Sequence, residues 1–183
     1  MRYFPKMIGE RVYLSPINMD DAEIYTKWLN DRAVSENLGF YRRLVSLANE
    51  KKALEGLTAG GHDYAIVLKE GDRLIGNISL MEVDHLSRKA TLGIFIGDAE
   101  QRGHGLGAEA IRLILEYGFE TLNLHNIMLH VNVSNAQAIA CYIKVGFREF
   151  GRRRESTFID GRYVDGVHME ILEDEFRAKY PGK

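Results

Sequence analysis

At 183 residues the chain has room for one domain with a sizeable core, and a single domain over 1–183 is the expectation. Lys and Arg number 24 against 26 Asp and Glu, leaving a net charge near −2 and no electrostatic ground for nucleic acid or an anionic membrane as partner. The one cysteine, Cys141, excludes an internal disulfide framework, and with no signal-like or bilayer-length apolar run the reading is a cytoplasmic protein.

Chain order then gives the elements. RVYLSPI (11–17) alternates as a first strand. Asn18 or Asp20 is placed to cap a helix to about Asn30, with Ile24, Trp28 and Leu29 inward. Residues 31–45 read as irregular, and a second helix follows Ser46 over about 46–58. HDYAIVLKE (62–70) and LIGNISLMEV (74–83) form a hairpin across the turn EGDR. DHLSRK is a loop, and ATLGIFIG (90–97) has the unbroken apolar character of a strand buried on both faces.

A long helix over about 105–120 comes next. Its inward stripe is Leu106, Ala110, Leu113, Ile114 and Tyr117, and Glu109, Arg112, Glu116 and Glu120 mark a narrow wet edge. NIMLHVNV (126–133) is a strand, and a short helix opens at Ser134/Asn135 and stops at Gly146. Two strands joined around Ile159–Gly161 complete the chain. The alternation of strands and helices predicts an α/β fold around a mixed central sheet.

Four readings compete for the segment QRGHGLGA (101–108). A phosphate-clasping P-loop is set aside, because Gly107 is followed by Ala-Glu-Ala and not Lys-Ser/Thr. Gly103-x-Gly105-x-x-Ala108 formally fits a dinucleotide fingerprint, but residues 98–102 separate it from its strand and no acidic residue ends the next strand. A left-handed turn opening a helix without any ligand is the third reading. The fourth is an anion site, in which backbone N–H groups of the turn converge at the positive end of a helix dipole.

Taken together, RGHGLG, the ensuing helix, the strand IMLHVN and Asn135-x-x-Ala138-x-x-x-Tyr142 ending in KVGF resemble the acyl-CoA-binding core of the GNAT N-acetyltransferases. The resemblance covers about 10–172, and 90–150 is its specific part. MEVDHLSRKATLGIFI, LNLHNIMLHVNVSNAQAIACY and FIDGRYVDGVHMEIL look most like the spermidine acetyltransferases, with the ribosomal-protein alanine acetyltransferases as the other similar branch. The resemblance implies a GNAT-like fold with a splayed pair of parallel strands at 90–97 and 126–132, and acetyl-CoA as co-substrate. In the family the loop matching Arg102, Gly103, His104, Gly105, Leu106 and Gly107 holds the CoA diphosphate, with Asn135 also on the cofactor side. Backbone groups of Ile94, Phe95 and Ile96 would pair with pantetheine, and Gly93 fits a bulge or a close approach.

Acetyl transfer to an amine needs a deprotonated amine, a polarised thioester carbonyl and a proton for the leaving sulfur. Tyr142, two helical turns after Asn135 and so on the same helix face, is the candidate acid, with a free phenol near pKa 10 against a thiol near 8.5. Glu82 matches an acidic residue lining the family's polyamine pocket and is the candidate base or substrate ligand; Glu36 is a second candidate in substrate binding. Glu36, Glu50, Glu55, Glu82 and Asp84 would suit a polycation if they converged. The acceptor expected is a small-molecule amine or a peptide N-terminus.

Six histidines without ligand spacing argue against a metal. His104 reads as a solvent-facing loop side chain, Cys141 as a buried helix cysteine and not an acyl carrier, and Arg152–Arg154 as an edge that meets a subunit, a phosphate or solvent. A non-catalytic CoA-binding module and a dinucleotide oxidoreductase are the competing functions. By analogy alone the chain is expected to be a homodimer or larger homo-oligomer.

Overall fold

In the computed structural model, which describes residues 2–38 and 43–181, the sequence pattern is carried out with few departures. The strands are β1 (Met7–Ile8), β2 (Val12–Pro16), β3 (Asp63–Leu68), β4 (Arg73–Asp84), β5 (Lys89–Ile96), β6 (Asn126–Asn132), β7 (Arg148–Ile159) and β8 (Arg162–Leu172). The helices are α1 (Ala22–Asn30), α2 (Arg32–Ser35), α3 (Leu47–Gly60), α4 (Leu106–Glu116), α5 (Ala136–Val145) and α6 (Glu173–Lys179). One mixed sheet has the order β1-β2-β3-β4-β5-β6-β8-β7. The chain forms two compact units, Met1–Ser79 with Ile94–Leu113 and Leu80–Gly93 with Ile114–Lys183, whose boundaries fall inside β4, β5 and α4 and not in linkers.

In the first unit, antiparallel pairing of β2 with β3 and of β3 with β4 builds the scaffold. Asn18 accepts from the N–H of Asp20, Ser46 accepts from Asn49, and Gly61 closes α3 at φ 86°, a left-handed value that glycine takes without a Cβ penalty. Tyr25 and Ala22 are the buried residues of α1; they pack with Tyr13, Leu54, Ala65 and Val67, while Ile24 and Trp28 are only partly buried. Part of the expected irregular stretch is α2, and its residues 39–42 lie outside the described ones.

In the second unit β6 pairs with β8, setting Ile127, Leu129 and Val131 opposite Ile171, Met169 and Val167 on the buried face. After α4 the chain widens into one π-type turn at Tyr117–Thr121, and a Cβ at Gly118 would sit 2.8 Å from Ile127 Cδ1. The β7–β8 hairpin turns on Asp160 (φ 48°) and Gly161 (φ 75°), two consecutive left-handed residues as a tight hairpin requires. Helix α6, for which the sequence pattern gave no expectation, packs Phe176 on Phe119 with ring centroids 5.3 Å apart.

Two expectations need correction, one for β5 and one for Glu109. The second half of β5, Gly93–Ile96, is half-buried and not enclosed on both faces. Gly93 lies close to β4, where a Cβ would meet Met81 Cε at 3.0 Å, and the neighbouring Glu82 on β4 is left-handed (φ 52°). Glu109 is no wet-edge residue, since its side chain is only 8% exposed.

Candidate active site

The glycine segment is built by a chain of local bonds within the first unit. At the end of β5 the N–H groups of Gly97 and Asp98 both donate to Ile75 O, at 2.9 and 3.2 Å. Asp98 then caps a single 3-10 turn at Ala99–Gln101 by accepting from Glu100 N–H. Gly103 (φ 80°) and Gly105 (φ 79°) are both left-handed, so the chain reverses twice within three residues and enters α4 at Leu106. The bond from Glu109 N–H to Gly105 O is an i→i−4 helical bond, which leaves the N–H groups of Leu106, Gly107 and Ala108 ahead of it at the positive helix end. A Cβ at Gly107 would lie 3.8 Å from Ile96 Cγ1 and 4.0 Å from Ile94 Cδ1, so the helix start faces the end of β5.

The turn is held by side chains whose partners are remote in sequence. Arg11 Nη1 donates to His104 O (2.9 Å), and Arg11 Nε pairs with Glu109 Oε2 (3.1 Å). Glu109 Oε1 also accepts from the N–H groups of Arg11 (2.7 Å) and Val12 (3.2 Å). Burial alone would raise the Glu109 pKa; the two backbone N–H donors and the Arg11 guanidinium outweigh it and hold the carboxyl below its ordinary value. Arg102, at the head of the loop expected to hold a diphosphate, donates from Nε to Ile96 O and from Nη2 to Gly97 O, both at 2.9 Å. Its guanidinium braces the turn against β5 through the carbonyl of Ile96, one of the three residues whose backbone groups were expected to pair with pantetheine. The His104 side chain is exposed.

Two further glycines fix where β5 lies. A Cβ on Gly76 would collide with the Phe95 carbonyl, and one on Gly97 would enter the Trp28 ring. Trp28, Tyr25 and Phe95 pack edge to face, with centroids 5.7 Å apart for Tyr25–Trp28 and 6.3 Å for the other two pairs.

In the second unit the parallel ladder of β5 with β6 comprises three pairs, Lys89–Asn126, Ala90–Ile127 and Thr91–Met128. β6 continues for four residues beyond that ladder, paired with β8 through Asn132–Gly166. Asn135 accepts from Ala138 N–H (3.1 Å) and so works as the N-cap of α5. Seven residues on, Tyr142 sets its ring edge-on to Phe147, centroids 5.9 Å apart. Burial pushes the Tyr142 phenol up to about 12, with Cys141 adding to the shift. Burial also raises the Cys141 thiol, which keeps it un-ionised and a poor nucleophile.

The acidic residues are engaged separately. Glu36 pairs with Arg32 at 3.2 Å on α2, and Asp84 accepts from the N–H groups of Leu86 and Ser87, both at 2.9 Å. Glu82 is exposed and accepts from Thr91 Oγ1 at 3.0 Å; Glu55 is exposed. Glu50, another of the five acidic residues named for a polycation, is 5% exposed on α3. Among the described residues no three His, Cys, Asp or Glu side chains gather at metal-ligand spacing, and no helix is long and apolar enough to cross a membrane. The Arg11–Glu109 brace escaped the sequence reading because its partners lie 98 residues apart. Trp28 over Gly97 had one usable signal, a glycine ending an apolar strand.

Residues 11–148 match the model of the acetyltransferase (GNAT) domain. The spermidine N(1)-acetyltransferase of Vibrio cholerae is 41% identical over 119 residues, 63% of this chain and 68% of that enzyme. The spermidine N(1)-acetyltransferase of Escherichia coli K12 is 36% identical over 110 residues, 59% of this chain, and the match spans 59% of that enzyme's length. Among solved structures, spermidine N-acetyltransferase from Vibrio cholerae in complex with CoA and spermine superposes with a TM-score of 0.82 at 29% identity, over 91% of this chain and 98% of that one. A helix that starts on two left-handed glycines and a parallel ladder of three pairs thus coincide with a family match over three quarters of the sequence, and the chain belongs to the GNAT acetyltransferase-domain family.

Proposed function

We propose that the chain is an acetyl-CoA-dependent N-acetyltransferase that moves an acetyl group to a primary amine by direct attack, with a polyamine such as spermidine as the favoured acceptor. The observation that carries this reading is the start of α4, where Gly103 and Gly105 turn the backbone so that the leading N–H groups of the helix are left for an anion. The two spermidine acetyltransferase relatives and the CoA-bound neighbour support it. Acetyl-CoA, when bound, supplies the acyl group as an activated thioester.

In this reading the N–H groups of Leu106, Gly107 and Ala108 hold the diphosphate without help from the Arg102 side chain. The half-buried backbone of Ile94 and Phe95 orients the pantetheine arm. Fixing both substrates in this way replaces a bimolecular encounter, worth up to about 7–11 kcal/mol of barrier in well-oriented systems. Tyr142 serves the departing sulfur. With the phenol near 12, full proton transfer to a thiolate of pKa about 8.5 is uphill by roughly 3.5 units. Tyr142 therefore acts as a hydrogen-bond donor that keeps its proton until solvent supplies one. Glu82, exposed at the left-handed kink of β4, takes the proton of the ammonium directly or through water. The active species is a homodimer or larger homo-oligomer, which light scattering of the purified chain decides.

The test is thiol release from acetyl-CoA with spermidine, spermine and a peptide bearing an N-terminal alanine. Turnover with a polyamine is expected. Turnover with the peptide alone moves the acceptor to protein N-termini, and CoA binding with no turnover for any amine leaves a non-catalytic module.

A further inference from the structure

In the second unit, β4 breaks the alternation of its side chains at Glu82. Leu80 is buried, and its Cδ1 and that of Ile127 both crowd the place that a Cβ at Gly118 would take, so Leu80 faces the buried side of the sheet. Side chains along a strand alternate between its faces, so a regular β4 would send Glu82 to that same side. The backbone of Glu82 is left-handed instead (φ 52°), a conformation that a residue with a Cβ adopts against steric resistance. Its carboxylate emerges on the other face, where Oε2 accepts from Thr91 Oγ1 at 3.0 Å. Met81 reaches that face as well, since its Cε is the nearest atom to a Cβ at Gly93, two residues along β5 from Thr91. Two successive side chains thus share one face, as at a β-bulge.

Thr91 stands at a defined place in the sheet. With Met128 it forms the last of the three parallel pairs of β5 with β6. Its neighbours Ala90 and Leu92 are buried on the opposite face, and Thr91 itself is half-buried. Branching at Cβ restricts the χ1 rotamers of a threonine, so its hydroxyl is a donor of fixed direction. Glu82, by contrast, is an exposed and flexible side chain. Among the described residues the Thr91 hydroxyl is the one hydrogen-bond donor recorded for its carboxylate.

We propose that Thr91 is a positioning residue for the acetyl transfer, holding Glu82 Oε2 so that Oε1 is left to take the proton of the acceptor ammonium. Thr91 touches no substrate and acts through Glu82. Both oxygens of a carboxylate accept hydrogen bonds, so engaging one orients the group and leaves the other available. The proton passes from the ammonium nitrogen to Oε1, and the lone pair it leaves behind attacks the thioester carbon. Backbone strain at a single exposed glutamate has a purpose where it aims a reacting group. Aim matters because a misplacement of about 1 Å costs on the order of 10²-fold in rate. The assignment rests on the amine-acetylation reading above, with Glu82 as its base.

The test is steady-state thiol release from acetyl-CoA by the full chain, with whichever of spermidine, spermine or the N-terminal alanine peptide gives turnover. Thr91→Val removes the hydroxyl and keeps the branch at Cβ, whereas Thr91→Ser keeps the hydroxyl. Expected are a kcat about tenfold lower in Thr91→Val with the KM for acetyl-CoA unchanged, and recovery to within about twofold of the parent in Thr91→Ser. Glu82→Gln should cost about 10²-fold, and adding Thr91→Val to it should cost nothing more, because no base is left to position. A threonine that only supports the fold would lower the Tm of Thr91→Val and reduce kcat by the same factor in both backgrounds. Unchanged kcat in Thr91→Val, no recovery in Thr91→Ser, additive losses in the double variant or parent-like turnover in Glu82→Gln overturns the role of Thr91 and leaves the acetyltransferase reading standing. A parent chain that binds CoA but releases no thiol with any amine overturns that reading, and the role of Thr91 with it.

Discussion

Under the proposed function Gly105 and Tyr142 carry the chemistry at single positions, and each makes a sharp expectation. Gly105 has φ 79°, so Gly105→Val forces a β-branched residue into the left-handed region at a cost of about 1–2 kcal/mol or more. Because the turn aims the N–H groups, the loss should appear as weaker CoA binding in a calorimetric titration, with the far-ultraviolet spectrum unchanged. Tyr142→Phe should lower kcat by about 10²-fold and leave the KM for acetyl-CoA near the parent value, since the ring and its contact with Phe147 remain. The pH profile adds a sign. With the phenol held up to about 12 it stays protonated through the neutral and mildly alkaline range, so activity should climb as the amine deprotonates and show no falling limb up to pH 10. A decline centred near pH 9 would mean that a group other than Tyr142 serves the departing sulfur.

Elements show how much the sequence disclosed. The hairpin of β3 and β4, the caps Asn18, Ser46 and Asn135, and the stop at Gly146 were legible because each is a local pattern of turn or cap chemistry. The half-open end of β5 was not legible: isoleucine-rich strands look alike whether buried on both faces or left for a ligand. Gly97 was similarly ambiguous until Trp28 was found over it. Gly97→Ala should cost about 1–3 kcal/mol in urea unfolding through the clash with that ring, and displace α1 from the end of β5. Helix α3 offers a second reading by pH. Glu50 has its folded pKa raised, so the protonated form is the one the fold favours; stability is full below the unfolded pKa and declines as pH rises through the folded value. Glu50→Gln should therefore raise the Tm above the parent's at pH 7, and the gain should vanish by about pH 4.

At the scale of the molecule, the opposite sign comes from Glu109. Its folded pKa is lowered, so its contribution is present above the unfolded pKa and lost as acid brings the pH down through the folded value. Glu109→Gln should remove an ion pair and weaken two backbone hydrogen bonds at about 1–3 kcal/mol, and acid titration of the variant should show a shallower loss than the parent. The motifs that announce the family sit within about sixty residues, yet the residue that secures them, Arg11, lies just before β2 near the amino terminus.

That separation has a kinetic meaning. A contact spanning 98 residues closes one of the largest loops in the chain, and such contacts form late when a chain folds. During refolding, competence to bind CoA should lag behind the recovery of helical signal, and a fragment beginning at residue 90 should remain inactive until a peptide carrying the first strand is added back.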